Sequence, residues 1–194
     1  MTKFDWDKGF VVDFDLETGR SGKAQTIKRT LSQVKDFFME PEAAEEILKK
    51  EDPLVYEYHD LGCPERPGDL TFGTTILYPG KVGNEYYLTK GHFHTILDTA
   101  ETYYALQGEG VMLLENMEGD TTAKFLSKGE VVYVPRGYAH RTVNTGKEPF
   151  ILFYTYPADA GHDYGTIEVN GYRKCIVEKD GKPVVIDNPK WVLK

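Results

Sequence analysis

Residues 129–144 read GEVVYVPRGYAHRTVN, and this stretch decides the fold. Two short runs of β-branched and aromatic residues flank the turn Pro135-Arg136-Gly137, and the second run carries His140. Runs of this composition, separated by turn residues, are typical of paired β-strands. A histidine after such a turn is a weak sign of a metal site when it stands alone, so its partners must come from elsewhere in the chain.

The chain on both sides of this stretch repeats the same pattern. From Leu54 onward, short runs rich in Val, Ile, Thr, Tyr and Phe are separated by Gly, Pro, Asn or Asp at intervals of about ten residues. Asp180-Gly181 has the composition of a tight hairpin turn within residues 173–187. Neither a dinucleotide-binding nor a P-loop motif is present. The pattern predicts an all-β barrel or sandwich.

The first 50 residues have a different character. Residues 1–30 alternate weakly at Phe10, Val12 and Phe14, which predicts an arm with one or two edge strands. Residues 31–50 form the only stretch with helical spacing, and Pro41 suits a first helical position. We therefore expect one domain in which residues 1–50 form an arm with a helical segment packed on a barrel of residues 51–194.

Composition excludes several classes of protein. The chain has 194 residues and a net charge of −8 without a basic stripe, so we expect no nucleic-acid partner. It has no apolar run long enough to span a membrane, and its charged start, MTKFDWDKGF, is unlike a secretory signal. Cys63 and Cys175 are far apart and match no paired-cysteine motif, which favours free thiols in the cytoplasm.

Four residues form a candidate metal site. His92 and His94 flank Phe93, so in a strand both imidazoles point to one face and the phenyl ring to the other. Glu101 begins the next strand after a polar turn, and an antiparallel return would bring its carboxylate beside the two imidazoles. With His140 they make a set of three histidines and one carboxylate, which leaves coordination positions open for substrate or water.

These residues resemble the motifs of the cupin superfamily. The second cupin motif is matched with every gap by Gly129, Pro135, Gly137, His140 and Asn144. Asn144, the last position, is expected to have a structural role at its turn. The first motif is matched in part, because six residues separate His94 from Glu101 and its leading glycine is displaced. The resemblance implies a single-domain cupin barrel, also called a double-stranded β-helix or jelly roll.

The longer gap and several further stretches resemble the archaeal, cupin-type glucose-6-phosphate isomerases. The most specific of these stretches is YPADAGHDYGT, residues 156–166, and the resemblance runs from about Asp52 to Trp191. It implies interconversion of glucose 6-phosphate and fructose 6-phosphate in glycolysis or gluconeogenesis. It also implies one divalent metal ion, iron(II) first, with manganese, nickel or zinc as alternatives, and a homodimer in which the arm is a candidate for the interface.

The resemblance also implies roles for individual residues. The positions that match substrate-binding residues of the family are Tyr56, Thr75, Thr89, Gly91, Tyr103, Tyr156 and Tyr164. Glu101, His162 and Tyr103 are the candidate catalytic residues, with His162 as a proton relay. Glu101 can remain a metal ligand or carry the proton between C1 and C2, and a hydride shift is a third route.

Thr89 raises a geometric difficulty. Strict alternation along a strand would place Thr89 on the face of Phe93, away from the two imidazoles. Thr89 reaches the pocket only if the strand carries a bulge, which a glycine within a strand often marks. We therefore predict a β-bulge near Gly91. The neighbouring Lys90 is expected to be a solvated surface residue, and His59 a residue outside the site.

Two other functions fit the same scaffold. A non-haem metal dioxygenase would use three histidines and a glutamate in a similar way, but an apolar substrate would not need so many pocket hydroxyls. A non-catalytic sugar-binding cupin is the second alternative, although such proteins often lack the metal ligands that are present here.

Overall fold

The structure, a computed structural model, describes residues 4–191, and most of its regular structure is antiparallel β-sheet. The α-helices of this range are α1 (Leu31–Val34), α2 (Pro41–Leu48) and α3 (Gly165–Asn170), with a 3-10 helix at Lys35–Phe37. The strands are β1 (Gln25–Thr30), β2 (Leu54–Asp60), β3 (Leu70–Leu77), β4 (Lys81–Val82), β5 (Glu85–Tyr86), β6 (Glu101–Gln107), β7 (Glu109–Asn116), β8 (Thr121–Ser127), β9 (Val131–Val134), β10 (Tyr138–Asn144), β11 (Phe150–Pro157), β12 (Lys174–Lys179) and β13 (Lys182–Asp187).

Two sheets enclose the barrel core. One has the strand order β1-β2-β3-β11-β6-β9 and the other β10-β7-β8. Buried side chains from both fill the space between them, including Tyr103 of β6, Met112 of β7 and Leu152 of β11. A third sheet, β13-β12-β5-β4, lies to one side. The predicted all-β cupin fold is confirmed.

The helical segment covers part of a second core. Leu31, Phe38 and Ala44 are fully buried and pack in one cluster with Leu77 and Ile176. Pro41 begins α2, as its fixed φ favours. The prediction that residues 31–50 are the only helical stretch is wrong, because α3 adds a helix. With six residues, α3 is too short to show a helical period, and the Asp163 carboxylate accepts hydrogen bonds from Thr166 at its start.

The arm differs from the prediction at Phe10 to Phe14. These residues form no strand, and one edge strand, β1, follows them and pairs with β2. Phe10 and Phe14 instead lay their rings against Phe72 and Phe153 on the outer face of the sheet. The alternation of apolar residues in this segment therefore reflects side chains packed on the face of a sheet, an arrangement that does not require the backbone to pair with a strand. The division into residues 1–50 and 51–194 stays a prediction.

The predictions of a hairpin turn and of a β-bulge are both confirmed. Asp180 and Gly181 both have positive φ, 54° and 74°, as a primed hairpin turn between β12 and β13 requires. Gly91 also has a positive φ, 72°, and the pairing register shifts by one residue between Leu88↔Val143 and His92↔His140. This shift is the predicted bulge.

The bulge also interrupts the strand that the sequence predicts around Thr89, His92 and His94. Regular pairing stops at Tyr86, and isolated bridges hold Leu88, His92 and Phe93.

Within residues 4–191, no helix is long and apolar enough to cross a membrane.

Candidate metal centre and cavity

The four predicted metal ligands meet at one point of the barrel. His92 is bridged to His140 on β10, and Glu101 is the first residue of β6. One donor atom from each of these residues and from His94 lies within 4.8 Å of the others. Chain segments distant in sequence therefore converge here, as the order of the motifs predicted.

Glu101 is the centre of this group. Its Oε2 lies 2.9 Å from His140 Nε2 and 3.3 Å from His94 Nε2. The side chain is 2% exposed, and burial alone would raise its pKa. The two neighbouring imidazoles outweigh burial and lower the pKa of Glu101 to about 2. The carboxylate is therefore ionised at neutral pH.

The donor atoms of the group have no hydrogen-bond partners among the described residues. Nε2 of His92, His94 and His140 and both carboxylate oxygens of Glu101 are buried without a hydrogen bond of acceptable angle, although Glu101 Oε2 lies close to two of these nitrogens. Buried polar atoms are normally paired, because an unpaired one costs free energy. A cation held between them would satisfy all of them at once. Burial and the neighbouring imidazoles lower the pKa of His92 well below its ordinary value, which keeps it in the neutral form that binds metals.

A cavity of about 310 Å³ opens onto this group. The eight predicted substrate and relay positions all line it: Tyr56, Thr75, Thr89, Gly91, Tyr103, Tyr156, His162 and Tyr164. The individual roles assigned to them stay predictions, but the structure brings them together around one space.

The bulge turns Thr89 toward this cavity. Its backbone N–H donates to Thr142 O at 3.0 Å, and its Oγ1 accepts a hydrogen bond from Thr142 N–H at 3.1 Å. The next pairing, between His92 and His140, is displaced by one residue. The extra residue thus lets both Thr89 and the imidazole of His92 face the same side.

His162 is held close to the predicted metal ligands by its loop. Phe93 and Asp163 exchange two backbone hydrogen bonds, of 3.1 and 2.8 Å, which fix the loop beside the His92-Phe93-His94 segment. The His162 ring centre lies 4.4 Å from that of His92, and His162 Nε2 lies 3.1 Å from the Tyr156 hydroxyl. Burial lowers the pKa of His162, so the imidazole is largely neutral at pH 7.

Tyr103 lies beside Glu101 on the inner face of β6, as the two-residue spacing predicted. It is 8% exposed, and its ring centre is 5.7 Å from that of His140. Burial and the Glu101 carboxylate raise the pKa of Tyr103 well above its ordinary value. Its hydroxyl is therefore a permanent hydrogen-bond donor at this site.

Comparison with known proteins identifies the family. The family model described as glucose-6-phosphate isomerase matches residues 28–191. The chain belongs to the glucose-6-phosphate isomerase family. Membership in this family confirms the predicted enzyme class, an isomerase.

Relatives of this family cover nearly the whole chain. The glucose-6-phosphate isomerase of Thermococcus kodakarensis is 53% identical over 180 residues, which is 93% of this chain and 95% of the relative. That of Pyrococcus furiosus is 52% identical over 182 residues, 94% of this chain and 96% of the relative. The first 27 residues lie outside the family model, which agrees with the weaker resemblance of the arm.

Solved structures with a similar chain path are much more distant. A protein with a double-stranded β-helix domain from Klebsiella pneumoniae is 21% identical, with a TM-score of 0.41, covering 54% of this chain and 79% of its own. An oxalate oxidase structure is 16% identical, with a TM-score of 0.42, covering 50% of this chain and 47% of its own. Similarity at this level says nothing about activity.

Several cavity residues of this isomerase-family chain were not predicted from its sequence. Tyr58, Thr71, Thr142 and Tyr154 line the same space. Most of them stand two or four residues from a predicted position on the same strand, so the two-residue period of β2, β3 and β11 would have found them. Asp60, four residues from Tyr56 on β2, follows the same period, whereas Cys63 and Glu65 also line the cavity and no local pattern marks them.

Three other residues lie where their chemistry places them. Asn144 donates from Nδ2 to Leu77 O and Glu148 O, which confirms its structural role. Lys90 is not the solvated surface residue that was predicted: its side chain is 25% exposed and contributes to the cavity wall, with its ammonium group 3.6 Å from the Glu168 carboxylate. His59 is buried outside the cavity, 3.3 Å from the Thr26 hydroxyl.

Proposed function

We propose that this protein interconverts glucose 6-phosphate and fructose 6-phosphate with the help of one divalent metal ion, in glycolysis or gluconeogenesis. The observation that supports this most is the single cavity, which joins a metal-ligand set to a ring of hydroxyl groups. A phosphosugar presents two oxygens at C1 and C2 to one part of a site and a phosphate to another. The names of the relatives support the same substrate.

The phosphate-binding part is built from neutral donors. We assign the phosphate to the hydroxyls of Tyr56, Thr75, Thr89 and Tyr156 and to the backbone N–H of Gly91. Lys90 also lines this cavity, but its ammonium group lies 3.6 Å from the Glu168 carboxylate. Burial raises the pKa of Tyr56 and of Tyr156, so both hydroxyls keep their protons and can donate to phosphate oxygens.

The metal-binding part consists of His92, His94, Glu101 and His140. Three imidazoles and one carboxylate suit iron(II), manganese, nickel or zinc, and we propose iron(II). When bound, the ion would act as a Lewis acid toward the substrate oxygens at C1 and C2.

Glu101 is the proposed base, a role in which its carboxylate serves the substrate in place of the ion. As an ionised carboxylate it can take the proton from C2 of the open-chain aldose and return it to C1. A second proton passes from the C2 hydroxyl to the oxygen on C1, so the aldehyde becomes a hydroxyl group and C2 becomes a ketone. No external oxidant is consumed. The Tyr103 hydroxyl, beside Glu101, orients the substrate oxygens.

His162 is the proposed relay for the second proton. Its Nε2 shares a hydrogen bond with the Tyr156 hydroxyl, and the neutral imidazole can accept a proton and pass it on. The same pair is placed to assist opening of the sugar ring. Tyr164, whose ring stacks on that of His162 at 5.7 Å, closes this side.

The decisive experiment is conversion of fructose 6-phosphate to glucose 6-phosphate by the purified protein, coupled to a glucose-6-phosphate dehydrogenase. It is run as purified, after chelation, and after adding iron(II), manganese, nickel or zinc singly. We expect activity to disappear on chelation and to return with one or more ions, iron(II) first. No conversion with any ion, in a folded protein that binds metal, would overturn the proposal.

We further propose a cytoplasmic homodimer. Both cysteines are free, as in a reducing compartment. Tyr104 of β6 and Val131 and Tyr133 of the edge strand β9 are 43, 62 and 61% exposed and form an apolar strip suited to a second copy. The aromatic rings of the arm pack on their own sheet, which favours this strip over the arm as the interface. A monomeric mass by light scattering would rule out the dimer.

A further inference from the structure

A buried arginine lies directly behind the metal group. Arg141 follows His140 on β10 and is 3% exposed. Its Nε and Nη2 donate to one acceptor, the backbone carbonyl of Lys90, at 3.3 and 2.8 Å. Among residues 4–191, no carboxylate lies within 4.0 Å of the guanidinium, so this carbonyl is its principal partner.

The carbonyl that Arg141 binds belongs to the bulge. On one side of the bulge Thr89 N–H donates to Thr142 O, and on the other His92 and His140 exchange two backbone hydrogen bonds. The residue inserted by a bulge has no partner in the strand ladder. The Arg141 side chain supplies the partner that the ladder lacks at Lys90.

Two aromatic rings hold the guanidinium in place. Its Cζ lies 4.4 Å from the ring centre of Tyr172 and 5.8 Å from that of Phe37. Tyr172 also limits the bulge directly, since a Cβ atom on Gly91 would lie 2.5 Å from the Tyr172 hydroxyl oxygen. One ring precedes the barrel in sequence and the other follows α3, so both ends of the chain support this point.

Burying a cation costs free energy unless its surroundings compensate. Glu85 and Glu115 are within electrostatic reach, because Arg141 lowers the pKa of each of them against the larger effect of burial. Neither carboxylate contacts it. The hydrogen bonds of Arg141 therefore go to the Lys90 carbonyl, which lies in the bulge that sets the register of His92.

We infer that Arg141 is a positioning residue for the metal centre. It holds the Lys90–Gly91 bulge so that His92 is set against His140 and Thr89 faces the cavity. The effect on catalysis rests on the proposed function, whereas the effect on metal binding does not.

The chain offers a matched control. Arg173 likewise contacts a carbonyl and a ring, at 3.3 Å from Asn116 O and 4.5 Å from the Trp191 ring centre, and it has in addition an ion pair that Arg141 lacks, at 2.7 Å from Glu115 Oε1. It has no contact with the bulge. Arg173→Met therefore removes a carbonyl contact, a ring contact and an ion pair at a place away from the bulge, which makes it a stringent control for general destabilisation.

The test measures cobalt(II) affinity of the two Met variants, of Arg141→Lys and of the wild type, by competition with a chromophoric chelator, together with the visible spectrum of the bound ion and the midpoint of unfolding. We expect Arg141→Met to bind cobalt(II) 10- to 100-fold more weakly, the range typical for groups that orient metal ligands. Arg141→Lys, which keeps the charge but not the two-pronged contact, should fall in between. Arg173→Met should stay within about 2-fold, even if its unfolding midpoint falls equally.

Unchanged cobalt(II) affinity and spectrum in folded Arg141→Met would overturn the inference. So would an equal loss of affinity in Arg173→Met, because the effect would then be general destabilisation. If Arg141→Met does not fold, Arg141→Lys decides in the same way. A wild type that binds cobalt(II) but has no isomerase activity with any ion would overturn the proposed function. The cobalt(II) affinities of the variants would still test whether Arg141 positions the metal centre.

Discussion

Two glutamates of this protein are almost equally buried, but their pKa values are shifted in opposite directions. Glu101 is 2% exposed and Glu85 is 1% exposed. The pKa of Glu101 falls to about 2, because His140 and His94 outweigh burial, whereas burial raises the pKa of Glu85. Glu85 has only the Met39 backbone N–H at 2.7 Å and the Cys175 thiol as close polar neighbours. The neighbours of a buried carboxyl group, and not burial alone, decide whether it can serve as an anion.

The largest difference between the two sites is expected when each carboxylate is replaced in turn by a neutral amide. Glu101→Gln deletes an anionic metal ligand and the proposed base, so kcat should fall about 10³-fold or more. Glu85→Gln, at a residue that does not line the cavity, should leave kcat within about 3-fold. The measurement is steady-state isomerisation at saturating metal. Equal loss in the two variants would show that any buried charge supports the fold and that Glu101 has no special role.

A bound metal ion should raise the free energy of unfolding through the site of Glu101 and not through that of Glu85. An ion present at 100 times its Kd adds about 2.7 kcal/mol to the free energy of unfolding, because it binds only the folded state. Chelation should therefore lower the unfolding midpoint of the wild type and of Glu85→Gln. In Glu101→Gln the shift should be much smaller. A chelator shift that survives in Glu101→Gln would place the ion elsewhere.

The polar neighbours of the two carboxylates can be removed in the same way. Tyr103→Phe removes the hydroxyl beside Glu101, and we expect a fall in kcat of about 10²-fold, the lower end of the range for a positioned group. Cys175→Ala removes the thiol beside Glu85 and should cost stability without changing kcat. Steady-state rates and unfolding midpoints of both variants separate the two effects, and a normal kcat in Tyr103→Phe would remove Tyr103 from the proposed mechanism.

The smallest expected effect is the pH dependence of stability at Glu85. Since its folded pKa is raised, wild-type stability from this group is fully present below its unfolded pKa, near 4.5, and is lost as the pH rises through the folded pKa. Glu85→Gln does not ionise, so it should gain stability relative to the wild type between pH 4 and pH 7, by on the order of 1 kcal/mol. Denaturant unfolding at both pH values measures this difference.

Glu101 provides the opposite sign in metal-free protein. Its folded pKa of about 2 lies below the ordinary 4.5, so its contribution is present above 4.5 and is lost as the pH falls toward 2. The advantage of wild type over Glu101→Gln should therefore shrink on acidification. Two slopes of the same sign would contradict the contrast between the two sites.

Much of the site could be predicted from local sequence because strands have a two-residue period. His92 and His94 share a face for this reason, and the conflict between that face and Thr89 was enough to predict the bulge at Gly91. The same period, applied from Tyr56 and Tyr156, would also have found Tyr58 and Tyr154. The helix α3 escaped prediction because its six residues are too few to show a helical period, although Ile167 is buried and the Asp163 carboxylate accepts hydrogen bonds at its start.

Tertiary contacts account for what the sequence could not show. Arg141 is an ordinary residue within HRTVN, and only the fold places it under the Lys90 carbonyl and between Phe37 and Tyr172. Likewise, Glu85 and Glu101 are both glutamates at the start of a strand, and nothing local distinguishes their acidity.

The sequence by itself determined most of the strand pattern, the four candidate metal ligands, the family and the bulge, because each depends on residue type and short-range spacing. Only the tertiary structure decided that the predicted hydroxyls share one cavity with these ligands, which carboxyl group is an anion and what supports the bulge from behind. These properties depend on distances between segments far apart in the chain, and electrostatic and hydrogen-bond energies are set by such distances.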